Sequence, residues 1–326
     1  MAMGTKDVTE KHLEAYADVF ADIVNVTLLL GTGLRVEPDE LLDTGARTVY
    51  KSSGELREQE RDVAKLWKRR EVIFCLFGLE NQTRVDRFMP LRVQGYEGGD
   101  VRFQLARRDD ELRSARRAGD EARLRQLREM KFYPVVTLVL YYGMGHWTGP
   151  RSVLECMDVA EELRPFVNDC RLNVVEVAWL TEEQRSALTS DFRIVAEYFH
   201  QMRVNRKYEP SRETIRHVGA TLDLMRALTG DYFFEEAQAK LQDKLARGEE
   251  ISMYTVFGEA IDKGRTEGIR MGRDEGIRMG RDEGIRMGRD EERQIILRRL
   301  IDDGMTPERA ARIVGLSESA RTPASL

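Results

Sequence analysis

Glu80 and Gln82 close the apolar run VIFCLFGL of residues 72–79. At i and i+2 on an extended chain, both side chains project from one face. A carboxylate and an amide thus stand together at the end of a segment otherwise built for burial. Asp62 precedes Glu80 by eighteen residues, on a second strand candidate over 61–67. The polar turn near 68–71 folds one strand back on the other and brings Asp62 beside the Phe77–Glu80 end of its neighbour. Two converging carboxylates, with water and a phosphate oxygen, make a site for Mg²⁺, which prefers octahedral oxygen ligands and keeps several waters. Such a metal polarises a phosphoryl oxygen and lowers the pKa of the attacking water. A plainer reading uses the same residues: Asp62 caps a turn, and Glu80 pairs with Arg84 or Arg87. Spacing alone leaves both open.

The surrounding pattern supplies elements to hold such a site. Residues 12–30 read as one helix, with Phe20, Ile23, Val24, Thr27 and Leu28 at helical spacing and Asp18, Asp22 and Asn25 on a polar stripe. A turn-rich loop leads to strand candidates at 46–51 and 61–67. The runs 72–80 and 134–143 are short, continuous and apolar, the pattern of central strands buried on both faces. A further strand is expected at 173–180. Helix is expected over 85–96, a solvated helix or helical hairpin over 107–131, and helix from 182 onward. Four regions follow: an α/β domain over 8–182, a helical region over 183–262, a repeat segment over 263–292 and a terminal helical hairpin over 293–326.

In the repeat segment GIRMGRDE occurs three times in succession, and Gly recurs at every fourth position from Gly264 to Gly288, seven in all. Against alanine these glycines cost a helix roughly 5–7 kcal/mol, more than i, i+4 pairs such as Asp274–Arg278 and Asp282–Arg286 offset. The segment is therefore either a linker or a helix whose glycine ridge packs on a partner, which makes a homo-oligomer the expectation. Thr306 and Pro307 mark the start of a further short helix. With the few residues after it, this helix is either half of a helix-turn-helix or a plain hairpin.

Composition narrows the function. The chain has 326 residues, 41% apolar and 33% charged, which excludes disordered, collagen-like and disulfide-scaffold classes. No run reaches the ~18–20 apolar residues of a membrane span, and the charged N-terminus lacks the apolar stretch of a signal peptide. The three scattered cysteines fit a reducing cytoplasm. The four histidines show no ligand spacing. Net charge is −5, so basic surface must be local. The nearest basic stretches to the site along the chain are KLWKRR (65–70) and residues 102–131, the latter with ten basic and six acidic side chains. Their charge is compatible with phosphate binding, with a solvated face the plainer reading. Tyr96 and the GMGHW loop of His146 and Trp147 are weaker candidates for DNA contact.

Asp on one strand followed by Glu-x-Lys at the end of the next resembles the core of the PD-(D/E)XK nucleases. The segments FADIVN (20–25), ERDVAK (60–65), FGLENQTRVDRFMPLRVQGY (77–96) and PVVTLVLYYGMGHWTGP (134–150) resemble, in order, the Rpn family of recombination-promoting nucleases. That resemblance implies an αβββαβ mixed sheet flanked by helices, with an all-helical C-terminal extension. It implies Mg²⁺-dependent cleavage of DNA phosphodiesters, linked to recombination and mobile elements. Asp62 and Glu80 would hold the metal, Gln82 would orient water, and Asp22 would be the acidic residue of the first helix. Arg61 stands where the superfamily has Pro. Gln82 stands where most members have Lys, although the Rpn family shares this Gln. A neutral amide orients a water but adds no charge against the developing anion. Two alternatives remain: a weak or inactive DNA-binding protein of the same fold, and an interaction protein built on the repeat tail.

Overall fold

A computed structural model describes residues 12–44, 47–52, 55–70 and 72–315 of the chain. The segment expected to be one helix is broken near its start. A 3-10 turn, Leu13–Ala15, ends at Tyr16, whose extended backbone (φ −71°, ψ 134°) resets the chain before helix α1, Ala17–Val24. A π-helical turn, Asn25–Leu29, then closes the segment. Asn25 holds that turn against the following loop, donating to the Val36 carbonyl and accepting from its N–H, both at 2.8 Å.

Five strands form one mixed sheet in the order β1 (Leu41–Asp43), β4 (Val63–Arg69), β5 (Val72–Gln82), β6 (Val135–Tyr141), β7 (Asn173–Glu176). The intervening β2 (Arg47–Ser52) and β3 (Glu55–Glu60) pair only with each other. The expected strand at 46–51 therefore lies outside the main sheet, and its partner carried too little apolar signal to be read. β1–β4 and β4–β5 are antiparallel, while β5–β6 and β6–β7 are parallel. The two continuous apolar runs are thus β5 and β6, flanked on both sides as their composition requires. β7 stops at Glu176, four residues short of the expectation, and becomes a 3-10 turn over Val177–Trp179.

Between β5 and β6 the chain makes the crossover that parallel pairing demands. Helix α2, Met89–Ala118, runs without a break from the stretch expected at 85–96 into the first half of that expected at 107–131. Gly119 ends it with φ +67°, in the left-handed region that favours glycine. Helix α3, Glu121–Glu129, folds back, capped by Asp120, whose carboxylate accepts from the Arg123 N–H at 2.8 Å.

The sheet is covered on both faces. On one, Met89 and Val93 of α2 pack with Val139, Tyr141, Trp147 and Leu172. On the other, Phe77, Leu79, Leu138 and Leu140 pack with Phe20, Ile23 and Val24 of α1. The same core takes in residues of α5 (Phe192–Asn205), α6 (Val218–Thr229) and α7 (Phe233–Ala246), which follow the short α4 (Glu182–Ala187). No boundary falls at residue 182. The helices expected to form a separate region bury Phe192, Phe199, Leu222 and Phe234 against the sheet, and the first compact unit runs to Phe257.

The second unit, Gly258–Leu326, holds most of α8 (Met253–Asp302) and all of α9 (Pro307–Val314). The repeat is helical throughout rather than a linker. Its charges pair differently from the expectation: Arg286 meets Glu283 at i, i+3 rather than Asp282 at i, i+4. Residues 316–326, where a recognition helix would have to lie, fall outside the described residues, as do residues 8–11 of the expected α/β domain. Among the described residues no helix is long and apolar enough to cross a membrane.

Candidate active site

The β4–β5 register fixes the geometry of the site. Val63 lies opposite Leu79 and Lys65 opposite Phe77, so one further step along the antiparallel pair sets Asp62 against Glu80. Asp62 sits in the bend before β4, and its Oδ2 accepts from the Asn81 N–H at 2.7 Å. It is therefore not a turn cap. Its carboxylate is held by the neighbouring strand, one residue past Glu80.

Glu80 is almost wholly buried, at 3% exposure. Its Oε1 accepts from Arg92 Nη2 at 2.5 Å, so its partner is neither Arg84 nor Arg87. Its Oε2 is buried and has no hydrogen-bond partner. Burial and then the charge of Asp62 push the Glu80 carboxyl up to about 7, against the pull of Arg92, Arg61 and the nearby Tyr96 hydroxyl. Asp62 acts in the same direction on Glu14, Tyr96 and Tyr142. It is the common neighbour of groups on both faces of the sheet.

Glu14 was not anticipated from the sequence. It is fully buried in the turn before α1, and neither carboxylate oxygen makes a hydrogen bond of ordinary geometry. Asn81 and Tyr142 stand close enough to bear on its charge, and Tyr142 Oη donates to Asn81 Oδ1 at 3.1 Å. Burial raises the Glu14 carboxyl, and Asp62 adds to the effect. The available signal was an acid inside the apolar stretch HLEAY. Treating 12–30 as one continuous helix hid it, because the break at Tyr16 sets Glu14 on a separate turn.

Asp22, the expected first-helix acid, is spent elsewhere. Its Oδ2 accepts from the N–H groups of Thr189 and Ser190 at 2.9 and 2.8 Å, and its Oδ1 from the Thr189 hydroxyl. The whole polar stripe is structural: Asp18 meets His217, Asp22 holds the turn before α5, and Asn25 holds Val36. The structure brings Asp62 near Glu80 on one face of the sheet and near Glu14, from the first helical segment, on the other.

Gln82 stays in the ladder, opposite Tyr141, and its carbonyl accepts from the Tyr142 N–H. Its side chain is partly exposed on the Glu80 face. Arg61 is among the largest fully buried side chains. It pairs with Asp100 and lies 5.6 Å from the Tyr96 ring centre. Gly78 makes room for it: a Cβ there would come 2.4 Å from Arg61 Nη1 and 2.8 Å from its Cδ. The glycine in the FGLE segment is thus a steric requirement of the buried arginine beneath the site.

The expected basic stretches lie elsewhere. Arg69 is seven residues along β4 from Asp62, about 23 Å on an extended chain, and it pairs with Glu40. Lys65 is buried against Asp43. Arg107 and Arg108 line a cavity with Val72 and Phe74, at the other end of β5. The charge facing Glu80 comes from Arg61 and Arg92. Trp147 covers core, edge-on to Tyr141, while His146 is exposed, pairs with Glu176 at 2.7 Å and stacks on Trp179.

Asp62 and Glu80 are the two carboxylates that approach each other here. Buried carboxylate oxygens without partners cost several kcal/mol unless a proton or a cation joins them. Glu80 Oε2 and both oxygens of Glu14 are such atoms. Among the described residues no three His, Cys, Asp or Glu side chains form a ready cage. Mg²⁺ does not need one, since it is commonly held by one or two carboxylates, water and substrate phosphate. No protein-family model, curated protein or solved structure matches the chain.

Proposed function

We propose that this chain is a Mg²⁺-dependent DNA endonuclease of the PD-(D/E)XK type, similar to the Rpn recombination-promoting nucleases and acting in a reducing cytoplasm. The observation that carries the reading is the approach of Asp62, in the bend before β4, to Glu80 near the end of β5, with one Glu80 oxygen buried and unpartnered. The sheet order, an antiparallel β1–β4–β5 followed by a helical crossover to parallel β6, suits the αβββαβ core. Asp62 and Glu80 hold the metal. When bound, the metal polarises the phosphoryl oxygen and lowers the pKa of the attacking water. Gln82, on the Glu80 face, orients that water by hydrogen bonding. Glu14 lies near Asp62 and adds negative charge behind it.

A helix with Ile and Met exposed along its repeat gives a second copy of the chain as partner, and paired sites suit the cutting of two strands. A second reading, a DNA-binding protein of this fold that does not cut, is favoured by the neutral Gln82. Plasmid cleavage separates the two. The nuclease nicks or linearises supercoiled DNA with Mg²⁺ and stops with chelator. Binding without cleavage in Mg²⁺ or Mn²⁺ leaves the second reading.

A further inference from the structure

The reading above leaves a charge missing. Cleavage of a phosphodiester builds negative charge beside two carboxylates, and the residue that would offset it is the neutral Gln82. A cation must come from elsewhere in the fold. Arg61 faces Glu80 but is sealed, with its side chain 1% exposed and paired to Asp100. Lys65 is buried with Asp43. Arg92 differs from both. It reaches Glu80 from α2, yet 38% of its side chain is exposed.

We propose that Arg92 binds the scissile phosphate of the nucleic-acid substrate and supplies the positive charge that Gln82 lacks. The assignment rests on the nuclease reading for its substrate, but its geometry stands on the residues themselves. Nη2 donates to Glu80 Oε1 at 2.5 Å and to Tyr96 Oη at 3.1 Å, while Nη1 donates to Asp86 Oδ2 at 3.0 Å. Three of the five guanidinium donors are used, so two remain for a phosphate oxygen. The three contacts fix the group before substrate arrives, which is what makes a charge effective against a developing anion. Tyr96 lies one helical turn along α2, at i+4 from Arg92, so a rigid element aims the pair. Arg92 engages only one oxygen of Glu80 and leaves Oε2 for the metal. Cation and metal thus share one carboxylate without competing for the same atom.

The test uses the full chain and two readouts. The first is Mg²⁺-dependent plasmid cleavage by wild type, Arg92→Gln, Arg92→Lys and the Gln82→Lys/Arg92→Gln double variant, each checked for fold by circular dichroism. Arg92→Gln should lose about 100-fold in kcat. Arg92→Lys should keep about a tenth of the wild-type rate, because it retains charge without the fork. The double variant should regain at least ~10-fold over Arg92→Gln, which loss of structural support alone would not allow. The second readout needs no metal: binding of a short DNA duplex in EDTA over roughly 50–300 mM salt. Arg92→Gln should flatten the log–log salt dependence by about 0.9, the value of one phosphate contact.

If folded Arg92→Gln cleaves and binds as wild type does, the assignment fails and the nuclease reading survives. If wild type never cleaves but the slope changes as expected, the nuclease reading fails and Arg92 remains a phosphate ligand. Wild type that neither binds nor cleaves overturns both. Should Arg92→Gln not fold, wild-type cleavage by Arg92→Lys overturns the assignment.

Discussion

At the end of β5, Glu80 is 3% exposed with one oxygen unpartnered, and Glu14, in the turn before α1, is fully buried with two. Along α8 the opposite holds. Ile269, Ile277 and Ile285, with Met271, Met279 and Met287, are 45–64% exposed, and a Cβ added at any glycine of the repeat would meet open space. One region buries charge that water would otherwise solvate, and the other exposes apolar surface that a core would otherwise hold. The two also differ in what secures them. The carboxylates are fixed by strand register and two packed faces, while seven glycines weaken the helix with no tertiary contact along their ridge.

The largest expected effect breaks the buried half of this comparison. Asp62→Asn or Glu80→Gln should lower Mg²⁺-dependent plasmid cleavage by at least ~100-fold while circular dichroism shows an unchanged fold. Cleavage at the wild-type rate by either variant would put the site elsewhere.

The next effect is a pH dependence. The Glu80 carboxyl rises from its ordinary 4.5 to about 7, first through burial and then through Asp62. The folded state therefore binds this proton more tightly than the unfolded state does. At low pH the group costs nothing. As pH rises from about 4.5 through 7, metal-free stability falls by about 3 kcal/mol on its account. Urea unfolding in EDTA across that range should show this loss in wild type and its absence in Glu80→Gln. Parallel curves would mean that Glu80 is not held in the state described.

A smaller effect separates the two acids of the first helical segment. Asp22→Ala removes the acceptor of two backbone N–H groups and should cost about 2–3 kcal/mol in urea unfolding, with cleavage per folded molecule unchanged. Glu14→Gln should do the reverse, slowing cleavage while holding or raising stability, since a buried unpartnered charge is removed. Exchange of these two outcomes would restore the role first read at Asp22.

These contrasts show what the sequence makes legible. β5 and β6 were readable because burial on both faces leaves a continuous apolar run, and their hairpin and crossover partners followed. Asp62 and Glu80 were readable because strand register converts spacing into proximity. Glu14, Arg92 and the buried Arg61 were not, because each depends on a local break or a tertiary contact. The ψ of 134° at Tyr16 turns Glu14 inward, the start of α2 sets which side of the helix faces Glu80, and Gly78 opens space for Arg61. Periodicity carries none of this. Nor does it show that Asp22 holds the Thr189–Ser190 turn, since a polar stripe looks the same whether it meets substrate or a neighbouring loop.

The exposed half is tested by association. Replacing Ile269, Ile277 and Ile285 together with Glu in the full chain should shift sedimentation at micromolar concentration from dimer or larger to monomer. Wild type that already sediments as a monomer would make the helix a spacer.

Divalent-metal binding tests the central claim most directly. Calorimetric titration of Mn²⁺ into the full-length protein should show saturable binding in wild type, with at least a ~10-fold loss of affinity in Glu80→Gln and in Asp62→Asn. Equal affinity in all three proteins, or no binding in wild type, would contradict a metal held between Asp62 and Glu80.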